Sequence, residues 1–225
     1  MVSLNFSSIH HHAYTGLGPR EKTMKVISGR CFRALYDTSS IRVYHLTTDS
    51  IADEALALGT FGQKFNHEKI NWLKPSFLWA MHRSNWSTKR GRSRVLAVDI
   101  KRSGFDYIFE KATCSVYDKT YCGTEEAWQR KISETNIRCK WDIARDEYGA
   151  PTNHLTVQYA ISGEISRRYS HEWIICLTDI TGMVRELKNL LDLGTPITGL
   201  LPAEKTYTES NESASTNHRK RRRET

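Results

Sequence analysis

The sequence contains no apolar run that approaches the roughly 20 residues needed by a membrane-crossing helix. Its first residues lack the apolar stretch of a secretory signal, so we expect none. The five cysteines form no CxxC pair, and their odd number argues against a zinc ribbon and against a disulfide framework. We therefore expect reduced thiols in a cytoplasmic protein. Cys176 follows Ile174 and Ile175, which predicts a buried position for its side chain.

The motifs of several common enzyme classes are also absent. The sequence has no Walker motif, no GxGxxG, no GxSxG and no HExxH. Nucleotide-loop, serine-hydrolase and zinc-protease chemistries are therefore not supported. We expect no cofactor and no metal, since the triplet His10–His12 lacks paired ligands.

The composition is that of one globular domain with a basic balance. Of the 225 residues, 39% are hydrophobic and 26% are charged. The formal net charge is +8, and the segment from Ala203 onward, with six Lys/Arg and four Glu, carries only +2 of it. The remaining basicity belongs to the body of the chain, which favours a polyanionic partner such as nucleic acid.

Polar segments flank this body at both ends. Residues 1–29 show no periodicity and predict a disordered leader. Residues 203–225 are rich in Ser, Thr, Asn and Glu, which predicts a disordered tail. Its basic end, residues 218–223, is a nuclear-localisation signal or a nucleic-acid-binding tail, with a merely solvated tail as the alternative. Residues 30–202 are then a single catalytic domain.

Short strands and short helices alternate along the body. β-branched and alternating patterns predict strands at residues 41–46, 70–73, 94–100, 155–160 and 173–177. Capping residues and apolar periodicity predict helices at residues 51–58, 76–85, 125–132, 163–169 and 181–193, with Gly59 ending the first. The resulting fold class is α+β, a single domain with a mixed sheet and interleaved helices.

Aromatic and basic residues are interleaved between residues 71 and 102. Three tryptophans lie within residues 71–86, and seven Lys/Arg against one acid lie within residues 83–102. Cations that meet phosphates, beside rings that stack on bases, are typical of a single-stranded nucleic-acid surface. The alternative is that the tryptophans are core and the cations a solvated rim. The candidate tRNA-binding residues are Lys89, Arg90, Arg92, Arg94, Lys101 and Arg102.

The same region contains the first candidate catalytic residues. Ser76 follows Pro75 in the first turn of a predicted helix, where the unpaired N–H groups and the dipole can stabilise an anion. Ser76 is thus a candidate nucleophile or anion ligand, with plain capping as the alternative. Lys74 precedes proline, should be extended, and is a candidate contact for a phosphate or carboxylate.

Other candidates lie on the predicted strands. Tyr44 and His45 are candidates for proton transfer, because a histidine titrates near physiological pH. Glu172, just before an apolar strand, is a candidate catalytic carboxylate. For each, a purely structural role is the alternative. The candidate substrate-binding residues are Asp37, Arg42, Trp79, Arg83 and Asp179.

These stretches also resemble a known family. The blocks are Arg33-Ala34-x-Tyr36-Asp37, Ile41-Arg42-Val43-Tyr44, Trp72-x-Lys74-Pro75-Ser76-Phe77-Leu78-Trp79 and Glu172-Trp173-Ile174. They resemble signature blocks of domain-of-unknown-function family 4291 and span the chain from about Arg30 to Pro202. One departure is His45, where most bacterial members are expected to have glutamine.

The chain also resembles the fungal arginine-containing cyclodipeptide synthases. That resemblance implies synthesis of cyclo-Arg-Xaa, in a secondary-metabolite setting, from arginyl-tRNA and a second aminoacyl-tRNA. The esters are already activated, which agrees with the missing ATP loop. A carboxylate must hold the guanidinium, ideally as a bidentate pair, and Glu172 and Asp37 are the candidates. The cleft is expected between residues 74–83 and the strand that begins at Glu172.

Two other functions remain open. The segment Tyr44-His45-Leu46-Thr47, the following helix and Gly59-Thr60-Phe61 look like the opening of the ADP-ribosyltransferase fold. That likeness implies an enzyme that uses NAD, with Glu172 as its late catalytic glutamate. The third reading is a non-enzymatic RNA-binding module.

Overall fold

The computed structural model of this chain describes residues 31–88 and 93–207. In chain order its elements are β1 (Arg33–Ala34), β2 (Ser40–Thr47), α1 (Asp49–Leu58), β3 (Asn71–Leu73), α2 (Phe77–Ser84), β4 (Arg94–Lys101), α3 (Arg102–Lys111), β5 (Thr113–Cys114), α4 (Lys119–Cys122), α5 (Glu125–Glu134), β6 (Ile137–Arg145), β7 (Pro151–Ile161), α6 (Gly163–Arg168), a π-helical turn (Tyr169–Trp173), β8 (Ile174–Asp179), α7 (Thr181–Asp192), a 3-10 turn (Thr198–Leu200) and β9 (Lys205–Thr206).

Strand β4 is the centre of one antiparallel sheet, with the order β2-β4-β8. Its apolar run is nearly continuous because both of its faces are covered. Leu96 and Val98 pack into one hydrophobic cluster with Phe105 of α3. Val95 and Ala97 face a second cluster that contains residues of α2 and α7. Two cores therefore share one strand.

A second sheet has the order β3-β7-β6-β5. Its β5–β6 pair is parallel and its other pairs are antiparallel, so the sheet is mixed. It meets the first sheet at one bridge, where the Tyr44 N–H donates to the Lys74 carbonyl oxygen at 2.8 Å. This bridge fixes Tyr44 and Lys74 beside each other.

The structure confirms the predicted fold class: one domain, α+β, with mixed sheets and interleaved helices. The strands at residues 41–46, 94–100 and 155–160 and the helix at residues 181–193 are found within a few residues of their predicted bounds. Gly59 ends α1 in the left-handed conformation, as predicted, with φ of 70°.

Several elements were not predicted, among them α3 and β6. The alternation of Ile137, Cys139 and Trp141 was a strand signal. Helix α3 starts directly after the last residue of β4 and opens with Arg102, so neither a turn nor a cap marks its beginning.

Two predictions about position were wrong. Cys176 is exposed, and so is the neighbouring Ile175, so neither face of β8 is covered at these residues. The ordered chain also continues past Pro202. Tyr207 is buried, and β9 pairs with β1. The segment predicted as a tail thus contributes to the core through Tyr207. The predicted leader (residues 1–29) and the rest of the tail lie outside the described residues.

A search of residues 31–88 and 93–207 for helices able to cross a membrane found none that is long and apolar enough.

Candidate functional site

A cavity of about 330 Å³ lies where the end of β2 meets the segment before α2. Phe65 and Trp72 form apolar parts of its lining. Its polar lining is rich in donors and cations, which suits an anionic ligand. These side chains are His45, Lys64, Asn66, Lys69, Asn71 and Lys74.

His45 projects from β2 among aromatic rings. Its ring centroid lies 4.9 Å from that of Phe61 and 5.7 Å from that of Tyr169. Within the described part of the chain, Nε2 is buried and has no hydrogen-bond partner. Burial, aided by the charge of Lys74, lowers the pKa of His45 to about 3. The ring is therefore neutral at physiological pH, and its nitrogen can bond a ligand.

This pKa bears on the predicted role of His45 in proton transfer. A general base works best when its pKa lies near the operating pH. The environment of His45 therefore favours a hydrogen-bonding role. Tyr44 shows a related effect: burial raises the pKa of its hydroxyl strongly, so the phenol stays protonated. The Tyr44 hydroxyl is buried and without a hydrogen-bond partner among the described residues.

Ser76 occupies the N-cap position of α2, as predicted, but its side chain does not cap the helix. Instead, the N–H of Phe77 donates to Oε1 of Glu204 at 2.5 Å. Ser76 also bonds the Glu204 carboxylate through its side chain. Burial raises the pKa of Glu204 to about 7, against the opposing effect of these two hydrogen bonds. Ser76 is thus paired with a carboxyl group that titrates near neutrality.

Glu204 is a functional candidate that the sequence reasoning missed. It lies in the polar segment after Pro202, where no local pattern distinguishes it from the glutamates that follow. Only the pairing of β9 with β1 brings this segment back to the start of α2.

Glu172 does not reach the cavity. It is exposed in the π-helical turn and forms an ion pair with Arg168 at 3.2 Å. Glu172 is not among the residues that line the cavity, although Tyr169 of the same turn packs against His45. The cleft between residues 74–83 and Glu172 stays a prediction.

A family model matches most of this chain. The family described as domain of unknown function (DUF4291) matches residues 31–207. The chain belongs to this family. No curated protein and no solved structure was found to match. The DUF4291 match ends at Tyr207, where the described part of the structure also ends.

The predicted substrate-binding residues of this DUF4291 domain do not gather at the cavity. Arg42 forms a bidentate pair with Asp99, with N···O distances of 2.8 and 2.7 Å. Asp37 accepts from the N–H groups of Ser39 and Ser40, each at 2.7 Å, and these bonds lower the pKa of Asp37 to about 2. These side chains hold the sheet and a turn.

The other three predicted substrate contacts are placed differently. Asp179 bonds Thr181 at the start of α7 and pairs with Arg94. Trp79 is buried in α2, and Arg83 is exposed on the same helix. Asp179 therefore has a local structural role, and Trp79 belongs to the core.

The predicted tRNA-binding residues differ in their surroundings. Lys89, Arg90 and Arg92 lie outside the described residues. Arg94 pairs with Asp179 at 2.6 Å and with Asp53 at 2.9 Å. Arg102 is buried and lies over the rings of Tyr36 and Tyr207, at 4.6 and 5.2 Å. Arg94 and Arg102 thus stabilise the fold, whereas Lys101 is exposed.

A search of the described residues for His, Cys, Asp and Glu side chains grouped as metal ligands found no such group of three or more.

Proposed function

We propose that this DUF4291 domain is an enzyme that uses arginyl-tRNA and a second aminoacyl-tRNA to make an arginine-containing cyclic dipeptide. The observation that carries the proposal is the cavity beside β2, which Lys64, Lys69 and Lys74 line together with the neutral ring of His45. The 3′ end of an aminoacyl-tRNA has phosphates for the cations and bases for an aromatic surface such as Trp72.

The chemistry needs no energy source beyond the two ester bonds. The α-amine of one aminoacyl group attacks the ester carbonyl of the other, and the bond to the ribose oxygen breaks. That oxygen takes a proton, and one tRNA leaves. The free α-amine of the dipeptidyl-tRNA then attacks the remaining ester, which closes the ring and releases the second tRNA.

The residues around the cavity suit two tasks in this reaction. Lysine ammonium groups bind phosphates and stabilise the oxyanion of each tetrahedral intermediate. The neutral His45 ring bonds a ribose hydroxyl or the attacking amine.

Ser76 is not among the residues that line the cavity. We therefore propose direct aminolysis of the ester rather than an aminoacyl-Ser76 intermediate. The Ser76→Ala variant separates the two mechanisms, because a covalent path loses its nucleophile and direct aminolysis does not.

Transfer of ADP-ribose from NAD is the second candidate. The position of His45 on β2, at the wall of a lysine-lined cavity, favours it, since dinucleotide phosphates also suit those cations. The absence of Glu172 from the cavity lining counts against it, because that residue is the expected catalytic glutamate.

The deciding experiment is mass spectrometry of cells that express the full chain, followed by assays of the purified protein. Arginine-containing diketopiperazines in cells, and their formation from charged tRNAs in vitro, support the synthase. Nicotinamide release from NAD without a cyclic dipeptide supports the transferase. RNA binding with neither product leaves a binding module and overturns the enzyme proposal.

Variants at the cavity wall test the assignment of the site. Lys64→Ala and Lys69→Ala should each lower turnover about tenfold, a loss typical of one contact to transition-state charge. Both lysines are exposed, so neither change should unfold the protein. Lys101→Ala is the matched control, because this exposed lysine lies at the end of β4 and does not line the cavity. Equal turnover in all three variants would contradict the site.

A further inference from the structure

A larger cavity, of about 650 Å³, lies against the second sheet, beside β5 and β6. Three of the five cysteines line it, namely Cys114, Cys122 and Cys139. It is separate in its lining from the lysine-rich cavity, so an inference about it is independent of the proposed function. Aromatic side chains, including Trp141 and Tyr159, form much of the rest of its wall.

Two of these thiols are held in contact by the strand pairing. In the parallel register of β5 and β6, Cys114 lies directly opposite Cys139. Residues opposite each other on parallel strands point to the same face of a sheet. The two Sγ atoms are 3.7 Å apart. Neighbouring strands are about 4.8 Å apart, a separation that falls within the Cα–Cα range a disulfide spans.

Backbone contacts hold this pair in place. The N–H and hydroxyl of Ser115 both donate to the carbonyl oxygen of Cys139, at 2.8 and 3.0 Å. The indole N–H of Trp128 donates to the carbonyl oxygen of Cys114 at 2.7 Å. Both cysteines are thus anchored at their carbonyl groups, and side-chain rotation alone has to bring the sulfurs into bonding distance.

We propose that Cys114 and Cys139 are a redox modification site, which forms a reversible disulfide when a peroxide enters the cavity. Cys114 is the more exposed of the two, since Cys139 is buried in the core. Cys114 therefore attacks the peroxide first.

The reaction balances in two steps. The Cys114 thiolate displaces one oxygen of hydrogen peroxide, which gives a sulfenic acid and, after protonation of the leaving hydroxide, water. The Cys139 thiol then attacks the sulfenic sulfur, the S–S bond forms, and a second water leaves. Two thiols are oxidised by two electrons, and one peroxide is reduced. A small dithiol reverses the reaction by exchange.

The disulfide adds a covalent link to a short strand pairing. Strand β5 has only two residues, Thr113 and Cys114, paired with β6. A covalent link there fixes the end of α3 and the start of the α4–α5 segment on the sheet. The oxidised protein should therefore resist unfolding by urea better than the reduced protein.

The test uses the full chain, oxidised with hydrogen peroxide and mapped by mass spectrometry without reduction. Trypsin leaves Cys114 within residues 112–119 and Cys139 within residues 139–140, so the link joins two separate peptides. We expect these peptides to be cross-linked, with the loss of two hydrogen atoms, and to separate after treatment with dithiothreitol.

Variants decide which thiols take part. Cys114→Ser and Cys139→Ala should abolish the cross-link and the gain in urea resistance. Cys122→Ser, at the same cavity, and Cys176→Ser, on the surface, should keep both. Cys114→Ser keeps the test valid should the core change at Cys139 impair folding. A cross-link that uses Cys122, or sulfinic acid on Cys114 with Cys139 unchanged, overturns the proposal.

Discussion

At the scale of single residues, His45 is the side chain most altered by its surroundings. Phe61, Phe65 and Tyr169 replace the water around its imidazole. The loss of hydration destabilises the protonated ring far more than the neutral ring, because a charge is costly to bury. The lowered pKa therefore describes the stability of the fold as well as the chemistry of the cavity.

The first prediction concerns pH. The folded pKa of His45, about 3, lies below the ordinary value of 6.5, so the unfolded chain binds the extra proton between these values. Stability is therefore lost as pH falls through this window. The loss should reach about 2.7 kcal/mol by about pH 4.5, since one pKa unit corresponds to about 1.4 kcal/mol. The His45→Gln variant should lack this loss of stability at acid pH. The free energy of unfolding, measured with urea at neutral and acid pH, checks this.

The control for this prediction is His154→Gln. His154 is exposed, so its replacement should leave the wild-type dependence of stability on pH. If His45→Gln shows the same acid loss as the wild type, the proton is bound elsewhere on unfolding.

At the scale of elements, α3 packs closely against the π-helical turn because Gly104 has no side chain at the contact. A Cβ atom on Gly104 would lie 2.5 Å from the Trp173 ring, which is itself buried. The close approach of helix and ring thus depends on this glycine, although its backbone conformation requires no glycine.

The second prediction compares two helical glycines. Gly104→Ala should destabilise the protein by about 1–3 kcal/mol, the usual cost of overpacking a core. Gly182→Ala, in α7, meets no atom within 4 Å and should stabilise the protein by about 0.5 kcal/mol or more, because alanine favours helix. Thermal unfolding of both variants gives the comparison. A neutral Gly104→Ala would show that Trp173 moves easily.

The third prediction concerns the C-terminal strand β9. A chain that ends at Pro202 loses the pairing of β9 with β1, the Glu204 carboxylate at α2 and the buried ring of Tyr207. That ring stacks on Phe32 with centroids 5.1 Å apart, and its hydroxyl bonds Asp106. Loss of one such aromatic side chain costs about 3–5 kcal/mol.

The matched control is a chain that ends at Tyr207, which keeps every contact named above. We expect it to unfold at the same urea concentration as the full chain, whereas the chain ending at Pro202 should be strongly destabilised or insoluble. Equal stability of the two truncated chains would show that β9 is dispensable.

At the scale of the whole molecule, the net positive charge can attract a polyanionic ligand only where its cations face solvent. The formal net charge is +8, but Arg94 and Arg102 are occupied by carboxylates and aromatic rings. Lys64 and Lys69 are exposed and line the cavity. Within the described part of the chain they are well placed to contact tRNA phosphates.

The fourth prediction is the salt dependence of tRNA binding. Each phosphate contact contributes about 0.7–0.9 to the slope of log affinity against log salt. Lys64→Glu with Lys69→Glu should therefore weaken binding and flatten the slope by about 1.5. Lys89, Arg90 and Arg92 are tRNA-binding candidates on sequence grounds alone. Replacing all three with Glu should flatten the salt slope further. Lys101→Glu is the single-charge control, and an unchanged slope in the double variant would remove the cavity from the RNA surface.

Local pattern was sufficient for much of the secondary structure. Period-two alternation marked β2, and a continuous apolar run marked β4. Proline followed by serine marked the start of α2, and glycine marked the end of α1. The family blocks around Lys74-Pro75-Ser76 likewise led to the family that the chain belongs to. These features are local, since they depend on side-chain volume, backbone dihedral angles and hydrogen bonding within a few residues.

What the tertiary structure alone decided is which polar groups meet. Glu204 lies 127 residues from Phe77, and no periodicity joins them, yet strand pairing places that carboxylate at the helix start. The same holds for Arg42 with Asp99 and for the two thiols of β5 and β6. The sequence by itself determined the element types and the basic character, because both follow from composition and spacing. Partners depend on sheet order and register, which many distant residues set together. The tertiary structure thus decided that Glu204 meets the start of α2 and that Glu172 does not line the cavity.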